Sequence, residues 1–212
     1  FHEKHNCLGY VVLKTDNLKQ LQYVFASWVQ AMASAVERQR MYGLSKDLQE
    51  LKRNYNRDAL TGIGNRREAE RAMDEYRKRM HATGEIFCIV SMDMDGLKII
   101  NDQYGHLQGD EALCIVANIL KETVGDKGSA SRTGGDEYLL VLDMNNDEQV
   151  RELIATVRQK LADFNENGGK PWKLDISAGY AFCRSGSTIM FTMQQADKNM
   201  YQEKRTKKNN RL

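Results

Sequence analysis

The sequence predicts an α/β (α+β) domain, a largely antiparallel sheet flanked by helices, preceded by a long N-terminal helix. Three observations predict it. Residues 86–92 (Ile-Phe-Cys-Ile-Val-Ser-Met) form a predominantly apolar run, the pattern of a central strand covered on both faces. Ala130–Arg132 and Tyr138–Leu142 flank Thr133-Gly134-Gly135-Asp136-Glu137, which reads as a β-hairpin because Gly-Gly supplies the positive φ that primed turns need. A hairpin makes neighbouring strands antiparallel and disfavours a doubly wound parallel sheet. In the N-terminal quarter, apolar residues recur at spacings of three and four, the helical period.

In chain order, residues 9–13 (Gly-Tyr-Val-Val-Leu) read as a short buried strand. Asp16 or Asn17 can cap the helix that follows. One apolar seam runs through Leu21, Phe25, Trp28, Met32 and Ala35, and a second through Met41, Leu44, Leu48, Leu51 and Tyr55. The seams are out of phase, and Gly43 lies at their join. A glycine there costs a helix about 1 kcal/mol relative to alanine, so the pattern fits one long helix with a stutter or a break near Gly43. Such a helix either packs on its own domain or pairs two chains as a parallel coiled coil. Two heptads fall short of the three or four that would decide between these.

Further along, Asn65 can cap a helix over residues 66–82. The strand at 86–92 ends in Asp93-Met94-Asp95-Gly96. A helix over about 109–124 puts Ala112, Leu113, Val116, Ile119 and Leu120 on one face. Another helix at 147–164, a strand at 173–183 and a last helix over about 189–205 complete the order, with a basic tail behind them.

Composition excludes several classes. The chain has 212 residues, enough for one or two domains. Its net charge of +2 argues against an acidic disordered tail and lends little support to a nucleic-acid partner. The four cysteines, Cys7, Cys88, Cys114 and Cys183, are widely spaced and form no C-x-x-C, so neither a disulfide scaffold nor a zinc ribbon is expected. Free cysteines fit a reducing cytoplasm. No stretch approaches 18 apolar residues, so no membrane contact is expected within this segment. The chain begins at Phe1 and lacks a signal-peptide pattern, which predicts a piece of a longer protein. His2, Glu3 and His5 read H-E-x-H rather than H-E-x-x-H and do not support zinc-protease chemistry.

The candidate chemistry lies at strand ends. Asp93 closes the central strand, and Asp136 and Glu137 sit at the hairpin tip. Carboxylates converging there would suit Mg²⁺, which takes oxygen ligands and typically one or two protein carboxylates plus substrate phosphates. Taken singly, each is an ordinary turn residue. Gly96-Leu97-Lys98 follows Asp93-Met94-Asp95 at a strand-to-helix junction, where backbone N–H groups can approach a phosphate and Lys98 adds a charge; taken alone, a plain turn is the better reading. Asn101 and Asp110 carry an amide and a carboxylate suited to the edge of a guanine, or else to an Asx-turn and a helix cap. Lys204 and Lys208, one helical turn apart, either complement a helix dipole or reach phosphates.

Together and in this order, the motifs resemble the GGDEF family of diguanylate cyclases. The chain reads Asp58-Ala59-Leu60-Thr61-Gly62, Asn65-Arg66-Arg67, Asp93-Met94-Asp95-Gly96-Leu97-Lys98, Asn101-Asp102, Tyr104-Gly105-His106 and Gly109-Asp110. It continues with Arg132-Thr133-Gly134-Gly135-Asp136-Glu137-Tyr138, Ser177-Ala178-Gly179 and Ala196-Asp197-Lys198-Asn199-Met200-Tyr201 through Lys204. The resemblance implies a palm-like, nucleotide-cyclase-type mixed sheet. It also implies condensation of two GTP into cyclic di-GMP plus two pyrophosphates by a homodimer with one GTP per subunit. By the same resemblance, Asp93, Asp136 and Glu137, with the Met94 carbonyl, would hold Mg²⁺, or Mn²⁺ in its place. Gly96, Leu97, Lys98, Lys204 and Lys208 would hold phosphates. Asn101 and Asp110 would read guanine, and Asp136, Glu137 and Lys98 would act in catalysis. The alternative is a catalytically silent GTP-binding or partner-regulating module.

Over a short stretch, the strand at 9–13 and the first helix resemble the end of a GAF-type sensor. The expected organisation is therefore 1–16 as the end of a sensor, 17–57 as a helical linker that dimerises, and 58–212 as the catalytic domain. Three departures from the family pattern stand out. The signature ends in Tyr138 rather than phenylalanine, which is tolerable if the hydroxyl finds a partner. The family's K-x-x-G-R-N appears as Lys204-Arg205-Thr206-Lys207-Lys208-Asn209, and Lys208 lacks the bidentate geometry of an arginine. The family's inhibitory R-x-x-D aligns with Gly125-Asp126-Lys127-Gly128, where both charged positions are missing, so no product inhibition through that site is expected.

Overall fold

A computed structural model describes residues 2–3, 6–7 and 18–209, with side chains over 22–46 and 55–209. The expected strand at 9–13 and the cap at Asp16 or Asn17 lie outside the described residues. The chain divides into two compact units, Phe1–Lys52 and Arg53–Leu212.

In the first unit, β1 (His2–Glu3) pairs antiparallel with β2 (Asn6–Cys7). The helix α1 (Leu18–Tyr55) follows and runs unbroken through Gly43, so the continuous alternative holds. Its 38 residues correspond to about 57 Å at 1.5 Å per residue. Phe25, Trp28 and Met32 of the first seam are 44 %, 45 % and 41 % exposed, a run of large apolar side chains left facing solvent.

The second unit is built on a four-stranded sheet in the order β4-β5-β3-β6, with every neighbouring pair antiparallel. Its strands are β3 (Phe87–Met94), β4 (Gly128–Arg132), β5 (Glu137–Leu142) and β6 (Ile176–Cys183). All eight residues of β3 are buried, as a central strand requires. The two-residue period sorts side chains to opposite faces. Cys88, Val90, Met92 and Met94 join one core with α4 (His106–Val124) and α5 (Asp147–Asn167), and α3 (Leu97–Tyr104) adds Ile100. Phe87 and Ile89 join the opposite core with α2 (Arg66–Thr83) and α6 (Ile189–Asn209).

Local signals account for most boundaries. The Asn65 side chain accepts the Glu68 N–H and starts α2, and Asn146 accepts the Gln149 N–H and starts α5. Two expectations are corrected. The strand expected from residue 173 begins at Ile176, because the Asn165 side chain bonds both the N–H and the carbonyl of Leu174 at 2.7 Å and takes that residue out of the ladder. The hairpin does not use a primed Gly-Gly turn, and neither Gly134 nor Gly135 lies in the left-handed region. Residues 133–136 form a wider loop, closed by the Thr133 N–H donating to the Glu137 carbonyl at 2.9 Å, and longer loops do not need the primed backbone.

Candidate active site

The apolar β3 delivers Asp93 to its C-terminal end, where only 7 % of the residue is exposed. The β3–β5 register sets Asp93 directly opposite Glu137, and the Met94 N–H donates to the Asp136 carbonyl at 2.9 Å. Asp93 and Asp136 thus stand side by side although the chain separates them widely. Burial pushes the Asp93 carboxyl up. The Lys204 ammonium, 2.5 Å from Asp93 Oδ1, opposes the rise, and the Asp136 charge adds to it, leaving a net rise. Burial alone would lower Lys204, but Asp93, with Asp136 and Asp95 behind it, holds it above its ordinary value. Lys204 is the ammonium that meets Asp93, and Lys207 meets Asp95 beside it.

Two arginines hold the loop that carries Asp136. Arg66, at the start of α2, donates through Nε and Nη2 to the Thr133 carbonyl at 3.2 and 2.8 Å. Arg132, at the end of β4, donates through Nε and Nη2 to the Gly135 carbonyl at 3.1 and 2.8 Å. Its Nη1 reaches Asp58 Oδ1 at 3.1 Å. Asp58 also accepts the Thr61 N–H and hydroxyl at 2.9 and 2.6 Å. Burial would raise the Asp58 carboxyl, but the Thr61 bonds and Arg132 outweigh it and hold it below the ordinary value. Sequence reasoning missed these loop-positioning roles, and only the motif spacing around Asp58, Arg66 and Arg132 hinted at them.

On the other side of the β3 terminus, Gly96 adopts φ +82° and turns the chain into α3, so the Leu97 and Lys98 amides open a helix. Lys98 is exposed. Asn101 lies against Gly109 of α4, the residue before Asp110: a Cβ at Gly109 would sit 1.9 Å from Asn101 Oδ1. Asp110 lies inside α4 and is not its cap; Gly105 occupies that position. The capping account of Asp110 therefore falls. Lys208 is exposed near the end of α6. At the aligned inhibitory position, a Cβ on Gly128 would lie 2.1 Å from the Val141 carbonyl, so this β4–β5 pairing excludes any side chain there.

Among the described residues, no three His, Cys, Asp or Glu side chains converge into a ready-made metal cage. The donor set of Asp93 and Asp136 still fits a hard cation that completes its shell with phosphate and water.

Residues 55–210 match the family described as diguanylate cyclase, GGDEF domain. A diguanylate cyclase of Vibrio cholerae is 30 % identical over 158 residues, covering 73 % of this chain and 48 % of that protein. The diguanylate cyclase DgcN of Escherichia coli is 31 % identical over 149 residues, covering 69 % and 36 %. The chain thus spans less than half the length of these relatives. Among solved structures, diguanylate cyclase SiaD of Pseudomonas aeruginosa, seen with its activator SiaC, superposes with a TM-score of 0.73 at 26 % identity, covering 89 % of this chain and 74 % of that one. With the match running through both the strand ends and the hairpin that form the acidic cluster, the chain belongs to the GGDEF family of diguanylate cyclases.

Proposed function

We propose that the chain condenses two GTP into cyclic di-GMP and two pyrophosphates, as a homodimer in which each subunit holds one GTP. The observation that carries this reading is the adjacency of Asp93 and Asp136 at the end of two central strands, with Lys204 over them. Asp93, Asp136 and Glu137, with the Met94 carbonyl, are the residues that would hold Mg²⁺ or Mn²⁺. The metal would supply charge neutralisation at the attacking and leaving oxygens. Gly96 and Leu97 offer backbone N–H groups, and Lys98, Lys204 and Lys208 offer ammonium groups, to the triphosphate. Asn101 and Asp110 face the base, where a carboxylate accepts the N1–H and N2–H of guanine, a donor pair adenine lacks.

In the reaction, the 3′-hydroxyl oxygen of one GTP forms a bond to the α-phosphorus of the other as the bond to pyrophosphate breaks. Asp136 assists removal of the hydroxyl proton. The same exchange with the roles reversed closes the ring. One subunit holds half of this arrangement. The exposed Phe25, Trp28 and Met32 on α1 support pairing of two chains there, which would raise the effective concentration of the second half-site. An upstream sensor would set the alignment of the halves. The compartment that supplies GTP and Mg²⁺ is the cytoplasm, and no helix among the described residues is long and apolar enough to cross a membrane.

The test is chromatography of GTP incubated with Mg²⁺ and the purified chain over a range of protein concentrations. Cyclic di-GMP with stoichiometric pyrophosphate is expected. A confirmed dimer that releases neither product would favour the silent GTP-binding module, and equal turnover of ATP would overturn the assigned base contacts.

A further inference from the structure

The C-terminal end of α6 carries a lysine that the chemistry above does not use. Lys207 lies three residues beyond Lys204, on the same side of the helix. Lys204 reaches Asp93, and Lys207 reaches Asp95 two residues further along the chain. The Lys207 ammonium donates to Asp95 Oδ2 at 3.3 Å, to Asp175 Oδ1 at 2.9 Å and to the Ile176 carbonyl. Those three acceptors use the three N–H donors of an ammonium, and the Glu203 carboxylate lies 3.4 Å away. The side chain is 25 % exposed, unlike a lysine waiting in solvent for a ligand.

Asp95, immediately before Gly96, is itself tied down. Its carboxylate accepts the Ser177 hydroxyl at 3.0 and 2.9 Å, and its N–H donates to the Asp175 carbonyl at 2.9 Å. Lys207 therefore joins the segment after β3, the start of β6 and the end of α6. The family pattern has glycine at this position, which could make none of these bonds and commonly ends a helix. Here α6 continues to Asn209 and carries Lys208 with it.

We propose that Lys207 is a positioning residue for the phosphate-binding turn, its grip on Asp95, Asp175 and the Ile176 carbonyl fixing Gly96–Leu97 and Lys204 in one register. The proposal rests on the assignment of that turn to GTP, and its test separates the two. Lys207→Met keeps helix propensity and stem volume but removes the donors. Without nucleotide, hydrogen exchange at the Asp95 and Ile100 amides, which bond Asp175 and Gly96, should speed about fivefold or more. In steady state with Mg²⁺, KM for GTP should rise about tenfold while kcat falls less than about threefold. Asp175→Asn should produce the same pattern more weakly, and the double variant should lose less than the sum of the two.

Unchanged exchange and unchanged KM in a folded Lys207→Met chain would overturn the proposal. So would a loss confined to kcat. If Lys207→Met does not fold, Asp175→Asn alone decides by the same two readouts. If the wild type makes no cyclic dinucleotide, the functional reading fails, and the exchange measurement still decides whether Lys207 orders the turn.

Discussion

Tyr138 stands where the family signature ends in phenylalanine, and its hydroxyl donates to the Leu113 carbonyl in α4 at 3.0 Å from a buried position. Burial pushes its phenol up, so it stays a neutral donor. Tyr138→Phe should cost about 1 kcal/mol, read as a small drop in Tm, and leave GTP turnover unchanged. Asp136 differs, because the proposed reaction uses its carboxylate both to hold the metal and to take the hydroxyl proton. Asp136→Ala should lower kcat about a thousandfold without unfolding the chain, measured by pyrophosphate release and a thermal melt. At Asp58 the prediction is one of pH. Its carboxyl is held below the ordinary value of 3.8, so its stabilisation is complete above that value and is lost as pH falls through the lower folded value. Asp58→Asn should therefore lower Tm most near neutral pH. The gap to wild type should close as the pH drops below about 3.8.

At the scale of elements, the hairpin loop owes its shape to groups outside it. Its Thr133 and Gly135 carbonyls are held by Arg66 from α2 and Arg132 from β4, and Asp58 braces Arg132. A catalytic carboxylate displaced by about 1 Å can lose about a hundredfold in rate. Arg132→Met should cost about that factor in kcat although it touches no substrate, while the exposed Lys121→Met in the last turn of α4 should cost nothing measurable. The turn at Gly125–Lys127 makes the opposite case. Gly128 is pressed against the Val141 carbonyl and has no room for the acidic side chain of the family's inhibitory motif. Progress curves should show no slowing as cyclic di-GMP accumulates, and calorimetry should detect no tight, stoichiometric binding of product outside the active site.

Over the whole molecule, the reaction as proposed needs two copies, and α1 presents the means. Phe25, Trp28 and Met32 recur at three- and four-residue spacing and stay exposed in the single chain. Turnover per subunit should rise with protein concentration and level off as dimers saturate. Trp28→Glu should move that midpoint upward by about tenfold or more and leave kcat at saturation intact, checked by sedimentation alongside the assay.

Most elements were legible because their signals are local. The apolar run of β3, the capping Asn65 and the helical period of α1 each act within a few residues of where they are written. The order of motifs likewise pointed to the acidic and lysine residues of the site. Three things were decided only by tertiary structure: the pairing of Asp93 with the Asp136 loop, the arginine clamps on that loop, and the cross-link made by Lys207. The register between distant strands depends on the packing of the whole sheet. The acceptors that Arg66 and Arg132 grip are backbone carbonyls, which every residue carries and no sequence pattern marks.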